Sequence, residues 1–347
     1  MRRLLALAIA LAFSSGCTLV ATPVAQWVDP ETSLQWPPLP DKPRIRYLRD
    51  FKGAADFEKN SSTQKFLTWL TGDREKKLPF VSPYGIAADG QGRIWVADMG
   101  ISGVHQIDLA RGKVDYIFNA GTTPLATPAG VAVDLERKRL YVSDTTLAKV
   151  FLFDLEGRFI KEWEAPDNFG RPAGLAVDQS GQLYVVDAQK NRLSIFSQDG
   201  ELLRTITSAT LPDLTFNIPS NVAVNAQGQI FVVDSMNFRV ESFSAGGESL
   251  GTFGSIGDGP GYFARPRGIA VDGEGHIYVA DATFDNIQVF DNSGKLLIYF
   301  GQSGQKAGEF SLPAGMTFDP QNRLYVVDSY NQRLQIFAYL TDPDDPR

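Results

Sequence analysis

The sequence predicts an all-β chain folded as a six-bladed β-propeller, each blade a four-stranded antiparallel sheet, with the ring closed by an N-terminal strand. Three observations lead there. A proline anchor recurs every 44 to 47 residues, at Pro83, Pro128, Pro172, Pro219, Pro266 and Pro313, and a repeat of that length marks an array of like units. Each anchor is followed at fixed distances by a glycine (Gly85, Gly130, Gly174, Gly268, Gly315, with Asn221 in the fourth unit) and by an acid (Asp89, Asp134, Asp178, Asp272, Asp319, with Asn225 in the fourth). Between the markers lie short runs of Val, Ile, Phe and Tyr bounded by Gly, Pro, Asp and Asn, which is strand-and-turn composition; 32 Gly and 20 Pro supply the turns.

Each unit divides into four strands. Gly-Leu-Ala-Val-Asp, as in 174–178, is short and apolar, as expected of the strand nearest a crowded axis. A turn such as Gln179-Ser-Gly181 leads to a second buried strand, Leu183-Tyr-Val-Val-Asp187. The third, Arg192-Leu-Ser-Ile-Phe196, alternates, and a glycine turn at Gly200 opens the fourth, Glu201-Leu-Leu-Arg-Thr-Ile206. A four-stranded unit cannot bury both of its faces alone, so such units stack around an axis. The sixth unit lacks a fourth strand, whereas Arg44-Ile-Arg-Tyr-Leu-Arg-Asp-Phe51 reads as a strand without a blade. Residues 44–51 are therefore expected to complete blade 6 and close the ring.

The unit P-x-G-[ILV]-A-V-D…L-Y-V-x-D…R-[ILV]-x-[IV]-F resembles the NHL repeat, and so do the linkers FGSIGDGPGYFARP (253–266) and FGQSGQKAGEFSLP (300–313). The resemblance spans roughly residues 44–340. It implies an interaction scaffold, because NHL propellers mostly serve that role, and a monomer is expected. Related six-bladed propellers include zinc-dependent amidating lyases and calcium-dependent lactonases, so a hydrolase or lyase with a channel cation is the rival reading.

The termini carry a different message. Residues 1–16 hold two arginines, an apolar run from Leu4 to Phe13 and then small residues, the pattern of an export signal; ten apolar residues are too few to span a bilayer. Ser14-Ser15-Gly16-Cys17 resembles the bacterial lipobox, although Ser14 stands where Leu is usual. That resemblance implies cleavage before Cys17, lipidation of it and anchoring to a membrane; with Thr18 next, the outer membrane of a Gram-negative envelope is the expected destination. Residues 17–43 read as a tether and 341–347 as an acidic tail. Ser61 and Gln64 have capping-box spacing, and residues 61–72 are expected to form a short helix with Phe66, Leu67, Trp69 and Leu70 on one face. Such a helix would pack on the propeller, cover a channel mouth or touch the membrane.

Chemistry is sparsely signalled. The single cysteine excludes an internal disulfide and a cysteine metal site. A net charge of -7 and export disfavour nucleic acid as a partner. His105 and His276 lack ligand spacing, and zinc catalysis needs about three protein ligands, so both are expected to be structural or exposed. The acids Asp98, Asp144, Asp187, Asp234, Asp281 and Asp328 end every second strand and are expected to bond turn amides. No catalytic residue, metal or cofactor is assigned.

Function in a repeat protein is sought where the repeat breaks. One residue after the anchors stand Tyr84, Ala129, Ala173, Ser220, Arg267 and Ala314, of which Tyr84 and Arg267 alone are large. Asn221 is expected to adopt the left-handed backbone that glycine supplies. Met236, Phe238, Phe284 and Tyr330 sit in loops after second strands, where apolar residues point to contact sites or stiffen neighbouring loops. Strand direction puts Tyr84 and Arg267 on the same end as those loops. That end is the expected binding face for an envelope protein or exposed ligand.

Overall fold

The computed structural model describes residues 33–57, 77–163 and 165–341. Cys17, the segment 61–72 and all but Thr341 of the acidic tail lie outside them. Six antiparallel sheets are arranged as the repeat predicts. Blade 1 comprises Pro83–Ala88, Arg93–Asp98, Gly103–Asp108 and Lys113–Ile117. Blades 2 to 5 begin with the inner strands Pro128–Asp134, Pro172–Val177, Pro219–Val224 and Pro266–Val271. Blade 6 contributes Pro313–Phe318, Arg323–Asp328 and Arg333–Tyr339. Its fourth strand is Ile45–Phe51, paired antiparallel to Arg333–Tyr339, so the N-terminal strand closes the ring.

A bulge makes that closing strand serve two interfaces. The register slips between Tyr47 and Arg49, which breaks the strict alternation of faces. Tyr47 and Leu48, adjacent in sequence, are consequently both buried. Ile45 and Tyr47 join the core between blades 5 and 6, with Tyr278 and Phe337. Leu48 and Phe51 join the core between blades 6 and 1, with Ile94 and Tyr325. The end of the segment expected as a tether is also docked: Gln35–Trp36 pairs with the closing strand, and the Trp36 ring lies 5.5 Å from Phe300 and 6.0 Å from Phe337.

The anchor glycines have a different purpose from the one expected of their position. Neither they nor Asn221 has a positive φ. What they provide is room. A Cβ on Gly85, Gly130 or Gly268 would stand 2.0, 2.1 or 1.9 Å from the carbonyl oxygen of Ala129, Ala173 or Ala314 in the next blade. Inner strands approach backbone to backbone around the axis, and only glycine permits it. At the seam between blades 4 and 5 Asn221 carries a side chain, and hydroxyls bridge instead: Ser220 Oγ donates to the Arg267 carbonyl at 3.0 Å, and Ser235 Oγ lies 2.8 Å from the Pro266 carbonyl.

Both acidic series are engaged by the fold. Asp319 Oδ1 accepts the amides of Gln321 and Arg323, while Oδ2 accepts the Tyr325 hydroxyl at 2.8 Å. Asp178 and Asp272 take Tyr184 and Tyr278 in the same way. Blade 4 has Phe231 where these blades have tyrosine. Asn225 there still accepts the turn amides, and its own N–H donates to Gln229 Oε1 at 2.7 Å. The loss of a donor on the second strand thus accompanies the change from carboxylate to amide. The second-strand acids tie the entry of their own blade and the loop that follows them: Asp98 accepts Val81, Ser82 and Gly100, and Asp281 accepts Ala264, Arg265, Thr283 and Phe284.

The two histidines are drawn into this scheme. His105 is buried 3.2 Å from Asp98 among Phe80 and Tyr116. His276 Nδ1 lies 2.9 Å from Asp272 Oδ2 and its ring 5.7 Å from Tyr339. The hydrogen bond to Asp272 raises the His276 pKa above its ordinary value; desolvation opposes this, and the carboxylates of Asp272 and Glu274 add to it, with Arg44 opposing. The sign of the pH dependence follows. A raised histidine pKa contributes stability fully present below the unfolded value of about 6.5 and lost as pH rises through the folded pKa. His276→Asn is therefore expected to destabilise more at pH 5.5 than at pH 8.5, measured by urea midpoints; equal losses at the two pH values would refute the pairing.

Candidate functional site

The two ends of the ring differ because the strand register fixes what each displays. Pro83 pairs with Asp98, Pro219 with Asp234, Pro266 with Asp281 and Pro313 with Asp328. The start of each inner strand and the loop after each second strand therefore share one end, the entry face. Turns between the first and second strands occupy the opposite end, the turn face. Tyr84, Arg267, Met236, Phe238, Phe284 and Tyr330 all fall on the entry face, with Asn221 one residue deeper.

They do not behave alike. Met236 and Tyr330 are 51% and 70% exposed. Phe238 packs against the core between blades 4 and 5, so its ring stiffens the loop. Phe284 is half-buried, in a loop whose amide is held by Asp281. Asn221 Oδ1 accepts the amide of Val222 at 2.9 Å, and the residue lines the axial cavity.

Arg267 is the unusual charge. Its guanidinium has no hydrogen bond or ion pair to any described residue, although it is half-buried. Desolvation holds its pKa below the usual arginine value, with the Tyr84 phenol opposing and Arg265 adding to that shift. Other enclosed arginines are matched: Arg333 Nε lies 2.7 Å from Asp328, Arg323 Nε 2.6 Å from Asp319, and Arg192 Nη1 2.7 Å from Asp167.

Two apolar positions escaped the sequence reading. Ile218 and Leu312 directly precede anchor prolines and hold φ of 50° each, a region costly for a β-branched or bulky side chain and disfavoured before proline. The Ile218 amide donates to Asn191 Oδ1 at 2.9 Å and the Leu312 amide to Asp285 Oδ1 at 2.7 Å, which fixes both strained residues to the preceding blade. Ile218 is nonetheless 47% exposed, beside Met236, whose amide donates to the Asn217 carbonyl at 3.1 Å. Ile256, in the linker entering blade 5, is 68% exposed. The signal was in the repeat: other units have Ser82, Thr127, Arg171 and Arg265 before the anchor. Exposed apolar side chains on the entry face are most numerous over blades 4 to 6, with Val81 and Phe118 the exposed ones over blade 1. Over blade 3 the same face carries ion pairs, with Lys190 and Arg192 both on Asp167.

The axial cavity, 850 Å³, runs from Tyr84 and the glycine ring to the turn face. Its walls are Ala, Val, Ile and Leu with Met316 and Phe318, and its rim carries Glu136, Gln179, Glu274 and Asn322. The loops bearing Met236, Phe284 and Tyr330 do not line it. The described residues hold no group of three His, Cys, Asp or Glu placed for a metal, and the Asp178, Asp272 and Asp319 carboxylates at the cavity's end already accept turn amides and tyrosine hydroxyls.

Residues 59–215 match the SMP-30/gluconolactonase/LRE-like region, and residues 263–290 and 310–337 match the NHL repeat. A probable peptidyl-α-hydroxyglycine α-amidating lyase of Caenorhabditis elegans is 25% identical over 175 residues, which cover 44% of this chain and 50% of that protein. The chain thus matches about half the length of this curated relative. Among solved structures, virginiamycin B lyase from Staphylococcus aureus superposes with a TM-score of 0.57 at 15% identity, covering 86% of this chain and 99% of that one. A gluconolactonase from Xanthomonas campestris gives 0.56 at 20% identity, covering 76% and 90%. These likenesses show the fold. Repeat and architecture together define the class, a six-bladed β-propeller. Within it the chain is a propeller of the NHL-repeat type.

Proposed function

We propose that the chain is a lipid-anchored propeller of the cell envelope that holds a protein or an exposed ligand through its entry face, without catalysis. The observation that carries this reading is the crowding of exposed Ile218, Met236, Ile256 and Tyr330 on the entry face over blades 4 to 6, on the same end as the uncompensated Arg267. Monomeric soluble proteins seldom gather apolar side chains in this way unless something covers them. Strain held at Ile218 agrees with it, because costly backbone conformations persist mostly where they are used. Anchoring supports access. The tether reaches the ring at Gln35–Trp36, beside the outer strand of blade 6, away from the axis.

The rival reading, a hydrolase or lyase, draws on the lyase and gluconolactonase relatives. Among the described residues no group of three metal-ligating side chains is found, and the channel carboxylates Asp178, Asp272 and Asp319 are taken up by turn amides and tyrosine hydroxyls, which favours the binding reading. Photo-crosslinking in intact envelopes tests the proposal. A crosslinker at Tyr330 is expected to capture a discrete partner, one at Gln321 on the turn face is not, and Met236→Asp is expected to reduce capture at Tyr330 severalfold. Equal capture from both ends would overturn it. Cys17→Ser is expected to move the chain from the membrane to the soluble fraction, and an unmodified Cys17 thiol by mass spectrometry would overturn the anchor.

A further inference from the structure

We propose that Arg267, with Arg265 and the Tyr84 phenol, receives a carboxylate from a peptide segment of the partner protein, an inference that rests on the entry face being the contact surface. Three donors gather there without an acceptor. Arg267 is half-buried and unpaired among the described residues; Arg265, two residues earlier, is exposed and equally unpaired; the Tyr84 hydroxyl bonds to no described residue. A guanidinium drawn away from water without a partner is costly, and this chain pairs its buried arginines Arg192, Arg323 and Arg333 with carboxylates. Here two cations stand together in a molecule whose net charge is -7, and burial already holds the pKa of Arg267 down. A group that only accepts hydrogen bonds and carries negative charge would satisfy all three donors, and a planar carboxylate meets guanidinium two-pronged.

The surroundings select the carrier. Ile218, Met236 and Tyr330 provide exposed apolar surface on the same end. A peptide places apolar side chains within one or two residues of an acidic side chain or of its own C-terminus, whereas an inorganic anion would leave that surface uncovered. Tyr84 and Arg267 are also the only large residues in the ring of first positions, beside Ala129, Ala173, Ser220 and Ala314. They stand on blades 1 and 5, two steps apart across blade 6.

The full chain is titrated with N-acetyl-Leu-Phe, its C-terminal amide, N-acetyl-Leu-Asp-Leu-amide, the Asn counterpart of that peptide, and phenyl phosphate, followed by calorimetry. At least one carboxylate peptide is expected to bind about tenfold more tightly than its uncharged twin, the effect of one charge-assisted pair. The free acid and the Asp peptide distinguish a C-terminal from a side-chain carboxylate. Arg267→Gln is expected to abolish that discrimination. Arg267→Lys, which keeps the charge and loses the two-pronged geometry, should weaken it, and Arg204→Gln on an outer strand should leave it intact. Discrimination that survives Arg267→Gln, tighter binding of phenyl phosphate than of either carboxylate peptide, or no binding by any probe would overturn the inference. Partner capture at Tyr330 that persists in Arg267→Gln and fails in Met236→Asp would sink the carboxylate site alone and leave the face reading standing.

Discussion

Gly268→Ala is expected to destabilise the propeller by roughly 3 kcal/mol or more, although it adds a single methyl group. The methyl carbon would lie 1.9 Å from the Ala314 oxygen, 3.0 Å from its carbonyl carbon and 3.4 Å from Gly315 Cα. All three atoms are backbone, so no side chain can rotate away, and the inner strands of blades 5 and 6 must separate. Overpacking a core commonly costs about 1–3 kcal/mol; a clash between two backbones at the axis belongs at or above the top of that range. Gly85→Ala and Gly130→Ala meet the same obstacle at 2.0 and 2.1 Å. Gly259→Ala is the control, since its nearest neighbour would be Tyr262 at 3.6 Å and its backbone is not left-handed. Urea midpoints decide the matter: a Gly268→Ala midpoint as high as that of Gly259→Ala would show that the inner strands are not held at contact.

How much of this was readable beforehand depended on whether a feature repeats. The proline, glycine and acid markers recur in every blade, so their sum fixed blade number, strand order and ring closure without any coordinates. The purpose of the glycines was not readable. Gly85 and Gly268 meet atoms of the next blade, roughly 45 residues away, and no local pattern distinguishes a glycine kept for close approach from one kept for a left-handed turn. The change to Asn225 was noted without a reason, because the matching change lies at Phe231 on the facing strand. The candidate face was half legible. Strand direction alone put Tyr84, Arg267, Met236 and Tyr330 on one end. Ile218 and Leu312 were overlooked because an apolar residue before proline looks like core, and only the structure reveals their left-handed backbone and the 47% exposure of Ile218. Phe238 took the second of the two roles open to a loop aromatic and packs inward.

Removing residues 44–51 is expected to leave no cooperatively folded ring. The segment buries Ile45, Tyr47, Leu48 and Phe51, each at most 5% exposed. At roughly 1.5–3 kcal/mol for each large apolar side chain, their loss approaches the total stability of about 5–15 kcal/mol typical of a folded protein. Two further effects act in the same direction. The deletion opens Arg333–Tyr339 as an unpaired sheet edge, an aggregation hazard. It also strips both interfaces of blade 6, because the bulge sends Ile45 and Tyr47 to one side and Leu48 and Phe51 to the other. The buried Arg333 loses Asp50, at 3.4 Å, from its network. A milder pair of variants separates the seams. Tyr47→Ala should loosen blades 5 and 6, and Phe51→Ala blades 6 and 1, each by about 3–5 kcal/mol for a buried aromatic. Amide exchange would show it, with protection lost first at Tyr278 and Ile287 in one case and at Ile94 and Val96 in the other. Exchange that rises equally at all six seams in both variants would mean that the closing strand holds the ring as a whole, with no division of labour at the bulge.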